Sequence, residues 1–274
     1  MERYHHRPWS YLSVRAAAHA MKLAQRALLV PATTRTPDRY ARVQLPGGPP
    51  RYAVCSNGAH LLCDGVPDLD WHRETRRRVS AAGAPLPEVC AHLKYALYPE
   101  WPITMRVAEQ MFLSLRTSHG WALPAGWITD LTHWAGAHGW ELSATRRKVH
   151  LVPAALTKSA AITELASRTG ARLVLAAGDS RLDADLLRQA DAAIHPAHGE
   201  LAATGWSHPT VARTRQTGLA AGEEILRWLC ATAAGTRPAG GGSPTRSWDV
   251  SQRAAATGVG GPSRRGGTRL RRCR

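Results

Sequence analysis

An apolar run that ends in a glycine and two spaced aspartates constrains the fold of this 274-residue chain more than any other feature. The run from Arg172 to Ala176 is apolar after its first residue and suits a short β-strand, and Gly178 permits a sharp exit from it. Leu182, Leu186 and Leu187 then follow with helical spacing. We therefore predict a strand, a turn and a helix in direct succession.

Asp179 and Asp183 lie in this turn, where they are suited to hold a metal ion. Asp179 is expected at the carboxyl end of the strand, and Asp183, near the start of the helix, can turn back to the same point. Two hard oxygen ligands beside open water positions favour Mg²⁺ over an ion that prefers thiolates. The alternative is a helix N-terminus whose acids only complement the helix dipole.

Two other segments also end apolar strands with polar side chains. Residues 149–166 predict a strand and a helix, with Thr157 as the N-cap and Lys158 in the first turn. A lysine is unfavourable there because the dipole is positive at that end, so we expect an anion or a carboxylate opposite it. Residues 27–36 predict a strand that ends in hydroxyls and an arginine, and this end can bind phosphate oxygens.

Threonine, lysine and paired aspartates at three strand ends, in this order, resemble the haloacid dehalogenase superfamily of phosphatases. The sequence segments at residues 56–59 and 192–199 add to the resemblance, which covers about residues 10–232. It is greatest to the sugar-phosphate branch with an α/β cap, such as the trehalose- and sucrose-phosphate phosphatases. The resemblance implies an α/β fold: a Rossmann-like three-layer core with an inserted α/β cap domain.

The resemblance also implies roles for individual residues. Thr33 would hydrogen-bond the phosphoryl group of a small phosphorylated metabolite, Lys158 would neutralise that group, and Asp179 and Asp183 would hold Mg²⁺. Arg147, with its basic neighbours, is expected where the chain returns from cap to core. There it could contact a second anionic or hydroxylated part of the substrate, or be solvated. The predicted substrate-binding residues are Thr34, Arg35, Asn57 and Arg147.

The first motif of the superfamily is missing. Its members attack phosphorus with the first aspartate of an Asp-x-Asp pair that ends the first, central strand. This chain has no aspartate before Asp38, and residues 10–26 predict the helix that should follow that strand. Asp68 and Asp70 have the right spacing but follow Pro67 in a predicted turn. We expect the chain to be inactive as it stands and to fold badly, because two strands lose their ladder partner.

Two explanations of the missing motif remain open. In the first, the start of the chain has been assigned too far downstream, and the full protein is an Mg²⁺-dependent phosphatase. Alternatively, the chain is a noncatalytic pseudoenzyme that binds phosphate and metal.

The predicted domains are a core of residues 1–71 and 149–234, a cap of residues 72–148, and a basic tail of residues 235–274. The tail is rich in glycine, proline and arginine and cannot bury a core, so we expect it to be disordered. It could bind polyanions nonspecifically, which makes nucleic-acid binding a distant alternative for this chain of net charge +16. A solvated or frame-shifted tail is the other interpretation.

Composition predicts a cytoplasmic protein. No apolar run approaches the ~18 residues of a membrane span, and the first residues lack the apolar segment of a signal peptide. The five cysteines are odd in number and form no close pairs, which indicates reduced thiols.

Overall fold

The computed structural model describes residues 3–4, 7–8, 11–118, 121–145 and 147–235, so the predicted disorder of residues 236–274 lies outside it. The strands are β1 (Arg3–Tyr4), β2 (Arg7–Pro8), β3 (Tyr52–Cys55), β4 (His60–Cys63), β5 (Val66–Pro67), β6 (Ile103–Ala108), β7 (Phe112–Thr117), β8 (Trp140–Thr145), β9 (Lys148–Pro153), β10 (Leu175–Ala177), β11 (Ala192–His195) and β12 (Val211–Arg213). The helices are α1 (Val14–Ala24), α2 (Pro37–Tyr40), α3 (Leu69–Ser80), α4 (Leu86–Ala96), α5 (Ala125–Ala137), α6 (Lys158–Thr169), α7 (Ala184–Gln189), α8 (Glu200–Ala203) and α9 (Gly218–Ala233). Two short 3₁₀ turns cover Ser56–Gly58 and Arg181–Asp183.

The core contains two separate sheets. Strands β10, β11 and β12 form a parallel sheet in that order, and β3, β4 and β5 form an antiparallel one. Ala32 joins the second sheet through a parallel bridge to Val54. No described strand connects Ala32 to β10. The sheet is therefore divided at the position where the first, central strand was expected.

The predicted strand over residues 27–32 is reduced to this single bridge. Thr33 N donates to Val54 O at 2.8 Å, and Val54 N donates to Pro31 O at 2.8 Å. Pro31 has no N–H with which to extend the ladder. With hydrogen bonds along one edge and over two residues only, the apolar run does not continue as a strand.

Helix α6 packs on both halves of the divided core. Ala161 belongs to the buried cluster of Val54, and Ala166 belongs to that of Ala176 on β10. Ile162 lies between them and contacts both clusters. The helix that begins at Lys158 therefore holds the two sheets together by apolar contact.

Helix α1 covers another side of the core and packs against α9. It was predicted over residues 10–26 and begins at Val14, because Ser13 Oγ accepts a hydrogen bond from Ala16 N at 3.1 Å and caps it. Ala16, Ala20 and Leu23 form its buried stripe. The helical prediction is confirmed, with shorter ends.

The cap is a four-stranded antiparallel sheet in the order β6-β7-β9-β8. One face is apolar and packs against α4 and α5; its buried residues include Leu113, Leu115, Val149 and Leu151. Strand β9 was expected in the core because its apolar run is typical of a central core strand, but it pairs with β7 and β8. Helix α3 contacts the core through Trp71. Strand pairing therefore favours a cap that begins after α3 and ends at Pro153.

Within the described ranges, no helix is both long and apolar enough to cross a bilayer. The cysteines in those ranges, Cys55, Cys63, Cys90 and Cys230, are free.

Asp68 and Asp70, the possible Asp-x-Asp pair, have structural contacts. Asp68 caps α3, because its Oδ1 accepts from Trp71 N at 2.9 Å, and its Oδ2 accepts from Arg168. Burial opposes ionisation, but the hydrogen bonds from Arg168 and Trp71 lower the pKa of Asp68. Asp70 lies on the surface and pairs with Arg73.

We predict that Asp68→Ala lowers the free energy of unfolding by about 2 kcal/mol at pH 7, because it removes both an N-cap and a largely buried ion pair. Because its folded pKa is lowered, Asp68 stabilises the fold above its ordinary pKa and loses this effect as the pH falls through the folded value. Urea unfolding at pH 7 and at acidic pH measures both effects. The exposed Asp70→Ala should cost less than about 0.5 kcal/mol, and an equal cost for both variants would contradict the assignment.

Candidate functional site

Three loops of the core meet beside the start of α6. Asn57 N donates to Thr33 O at 3.0 Å, which joins the loop after the Ala32 bridge to the turn after β3. Asn57 Nδ2 donates to Leu156 O at 2.6 Å. A Cβ atom on Gly58, whose φ is +107°, would lie 2.2 Å from Thr157 O, so only glycine permits this contact. The predicted residues Thr33, Asn57 and Lys158 are thus brought together.

Lys158 forms a buried ion pair with Asp183. Its Nζ lies 2.5 Å from Asp183 Oδ1, and the two side chains are only 6% and 9% exposed. Thr157 is the N-cap predicted for α6, and its Oγ1 accepts from Ala160 N at 3.2 Å. A cation in the first turn is disfavoured by the helix dipole, and here the buried carboxylate compensates for it. The carboxylate expected opposite this lysine is therefore Asp183.

The other oxygen of Asp183 organises the turn after β10. Asp183 Oδ2 accepts from Asp179 N at 3.0 Å, from Ser180 N at 2.9 Å and from Ser180 Oγ at 2.8 Å. Burial alone would raise the pKa of Asp183, but Lys158 and these donors lower it. A Cβ on Gly178 would lie 2.4 Å from Asp183 Cβ, which explains the glycine. Both oxygens of Asp183 thus accept hydrogen bonds within the fold, and its predicted role as a metal ligand stays a prediction.

Asp179 is the carboxylate that remains available to a ligand. It is exposed, and its carboxylate accepts no hydrogen bond from another described side chain. Surrounding protein and then the charge of Asp183 raise the pKa of Asp179, while Lys158 and His198 oppose the shift. Gly199 lies against it, since a Cβ there would be 3.0 Å from Asp179 Cβ. Because ionisation of Asp179 alone is costly, a nearby cation would stabilise its charged form.

The phosphate side of the site offers hydroxyl and amide groups. Thr33 Oγ1 accepts from Arg35 N at 3.1 Å, which fixes the loop and leaves its hydroxyl proton available to a ligand. Asn57 adopts a φ of +57°, and its Oδ1 is buried without a partner in the described residues. Thr34 and Arg35 continue the same loop and are half-buried. These residues and Lys158 form one half of the site, and Asp179 forms the other.

Arg147 lies elsewhere. It is in the turn between β8 and β9, where its backbone oxygen accepts from Thr117 N at 3.1 Å. The prediction that it stands at the return from cap to core is wrong, because β9 remains in the cap sheet and the return follows Pro153. Its basic neighbour Arg146 lies outside the described residues.

Sequence reasoning missed Glu200, which joins the cap to the site. Its carboxylate accepts from Ser143 Oγ at 2.6 Å and Ala144 N at 2.8 Å, both on β8 of the cap. It also accepts from Arg181 N at 2.9 Å, in the 3₁₀ turn that carries Asp183. These partners are 19 to 57 residues away, so no local pattern could have indicated them.

The Lys158–Asp183 pair generates a stability prediction. Lys158→Met should cost about 3–5 kcal/mol at pH 7, because it leaves a buried carboxylate without its cation. In the parent, the lowered pKa makes Asp183 stabilising above its ordinary pKa, and this contribution is lost as the pH falls through the folded value. In the variant the carboxyl group should protonate readily, so the difference should shrink on acidification.

Denaturant unfolding from pH 7 to pH 4 measures this difference. Arg73→Met, which removes the cation of an exposed pair, is the matched control and should cost less than about 0.5 kcal/mol. A loss for Lys158→Met that does not change with pH would contradict an electrostatic origin.

Glu200 generates a prediction about the cap edge. In Glu200→Ala the amide of Ala144 should exchange its hydrogen roughly 10–100-fold faster, because a hydrogen bond to a charged group contributes about 1.5–3 kcal/mol. Hydrogen exchange followed by NMR or mass spectrometry measures this rate. Glu224→Ala is the control, since Glu224 likewise accepts from two backbone amides, those of Arg215 and Gln216, but within the core. Unchanged exchange in Glu200→Ala would contradict the contact.

No protein-family model matches this sequence, and no curated protein matches it either. Solved structures match its fold. Sucrose-phosphatase from Synechocystis sp., in complex with sucrose and phosphate, aligns with a TM-score of 0.57 at 16% identity, over 80% of this chain and 93% of that one. A Streptococcus mutans protein aligns with a TM-score of 0.55 at 13% identity, over 82% and 93% of the two chains.

A sugar phosphatase of haloacid dehalogenase subclass IIB aligns with a TM-score of 0.51 at 12% identity, over 74% of this chain and 87% of that chain. At such identities the similarity concerns the fold. Together with the core loops and the inserted cap, these matches show that the chain has the fold of the α/β-capped phosphatases of the haloacid dehalogenase superfamily.

Proposed function

We propose that the chain carries the phosphate-monoester site of an Mg²⁺-dependent, sugar-phosphate-type phosphatase. The observation that carries the proposal is the buried Lys158–Asp183 pair, set between the loop of Thr33 and Asn57 on one side and Asp179 on the other. The fold supports it, because a protein of the same fold is a sucrose-phosphatase seen with sucrose and phosphate. The ligand is a small phosphorylated metabolite.

Lys158 and Thr33 hold the phosphate oxygens in this proposal. The ammonium group has three donors, one of which points at Asp183, so two remain for an anion. The Thr33 hydroxyl adds a neutral donor, and the buried Asn57 keeps the loop against the lysine. Thr34 and Arg35 continue the same loop and are the further candidates for contact with the phosphate.

Mg²⁺ fits this donor set in part. The ion is commonly held by one or two carboxylates together with substrate phosphates and water, and Asp179 provides one free carboxylate. Asp183 already accepts four hydrogen bonds, so it would act by fixing the turn and through water. Bound there, the ion would neutralise phosphate charge. The raised pKa of Asp179 implies that metal binding weakens as the pH falls.

The described site lacks a carboxylate that could attack phosphorus in line with the leaving group. Asp68 and Asp70 are engaged on α3, and no aspartate precedes Asp38. This favours the second candidate function for the chain as given: a noncatalytic protein that binds phosphate and metal. Binding and hydrolysis are therefore tested separately.

Thermal unfolding with Mg²⁺ and inorganic phosphate tests binding. At ten times the dissociation constant we expect a gain of about 1.4 kcal/mol, which raises the melting temperature by roughly 3 °C. Asp179→Asn should abolish the part that depends on Mg²⁺, whereas the exposed Asp70→Asn should keep it. No shift in the parent chain would refute the proposed site.

Hydrolysis of p-nitrophenyl phosphate separates the two candidate functions. We expect no Mg²⁺-dependent turnover above background by the 274-residue chain. Turnover that is lost in Asp179→Asn would show that the chain contains its own nucleophile and is a phosphatase.

A further inference from the structure

The cap sheet presents a polar face opposite to its helices. Side chains alternate along a strand, and the residues between the buried leucines and valines point the other way. Pairing aligns Arg106 with Ser114, Ser114 with His150, and His150 with Ser143 across all four strands. We call this surface the roof face; it comprises Arg106, Ser114, Arg116, Ser143, Lys148 and His150.

Cations are concentrated on the roof face. Arg116 is directly opposite Lys148 in the β7–β9 pair, an arrangement that is destabilising for like charges. Arg106 is diagonal to Arg116, roughly 7 Å away. Within the described residues, neither arginine forms an ion pair or hydrogen bond. An anion between these side chains would remove the repulsion.

The roof face lies on the side of the cap sheet that faces the phosphate half of the site, formed by Thr33, Asn57 and Lys158. Ser143 on this face donates to Glu200 of the core, so this side of β8 lies against the core. His150, two residues from Lys148 on the same face, is close enough to Lys158 and Arg39 for their charges to act on it. Burial first, and then Lys148, Lys158 and Arg39, lower the pKa of His150 to about 4.

The acids near this face are already engaged. Glu141 on β8 pairs with Arg181, at 3.3 Å between Nε and Oε1. Glu109, in the turn between β6 and β7, contacts His60 Nε2 at 3.2 Å. His150 is neutral near pH 7, and its Nδ1 is buried without a partner. These paired acids therefore do not neutralise the arginines of the roof face.

From these positions we infer that the site takes a phosphate monoester whose leaving group carries a second anionic group, a carboxylate or another phosphate, which Arg106 and Arg116 bind on the roof face. This inference rests on the proposed phosphate site. His150, on which the charge of Lys158 acts, is separated from Lys148 by two residues of strand, or roughly 7 Å, which is about the length of one sugar. A six-carbon phosphorylated acid spans this distance.

Calorimetric titration of the full chain in Mg²⁺ with two matched probes tests the inference. 6-Phosphogluconate has a carboxylate at the end of a six-carbon skeleton, whereas glucose 6-phosphate does not. We expect 6-phosphogluconate to bind about tenfold more tightly than glucose 6-phosphate, which is the difference that one charge-assisted hydrogen bond would give. In the Arg106→Gln, Arg116→Gln double variant this preference should fall below about twofold, with glucose 6-phosphate binding unchanged.

Arg15→Gln is the matched control, because Arg15 is an exposed cation on α1, away from the cap, and the variant should keep the full preference. Equal binding of the two probes to the parent chain would overturn the inference and leave the phosphate site standing. An equal loss of preference in Arg15→Gln would also overturn it, because nonspecific charge would then be the cause. Binding of neither probe would refute the phosphate site and the inference together.

Discussion

The buried contact between Lys158 and Asp183 is the interaction on which the rest of the structure depends. It joins the first residue of α6 to the turn after β10, two elements that no strand pairing connects. Helix α6 also provides the apolar contacts that hold the divided sheet together. A cation and a carboxylate buried side by side are costly to separate, so this contact fixes the relative position of the two half-cores.

The same contact sets the electrostatics of the cleft. Asp183 is bound to Lys158 and to the turn, and burial first and then the charge of Asp183 raise the pKa of Asp179. The carboxylate of Asp183 thus stabilises the fold, and its charge makes Asp179 a better partner for a cation. On the cap the acids Glu109 and Glu141 are paired, whereas Arg106 and Arg116 form no ion pair within the described residues. The proposed site therefore has a separate place for each charge of its ligand.

Local patterns in the sequence were sufficient to predict the secondary structure around the turn after β10. The glycine and the spaced aspartates predicted the strand, turn and helix around Asp179 and Asp183, which the structure confirms. The unusual cation in a first helical turn predicted a carboxylate opposite Lys158, which is Asp183. Contacts between distant segments could not be predicted in this way. Glu200 binds β8 from 56 residues away. Arg147 was misplaced because an apolar run such as β9 is equally typical of a core strand and of a cap strand.

The missing first strand predicted that two strands would lose their ladder partner and that the chain would fold badly. In the described residues no strand joins Ala32 to β10, and the sequence could not indicate that α6 would pack on both sheets. The consequence lies at β10. Among the described strands it has a hydrogen-bonded neighbour, β11, on one side only. An open strand edge is a template for pairing with another chain. The open edge of Leu175–Ala177 lies next to the acids of the site, so pairing of another chain with this edge would alter the ligand site as well.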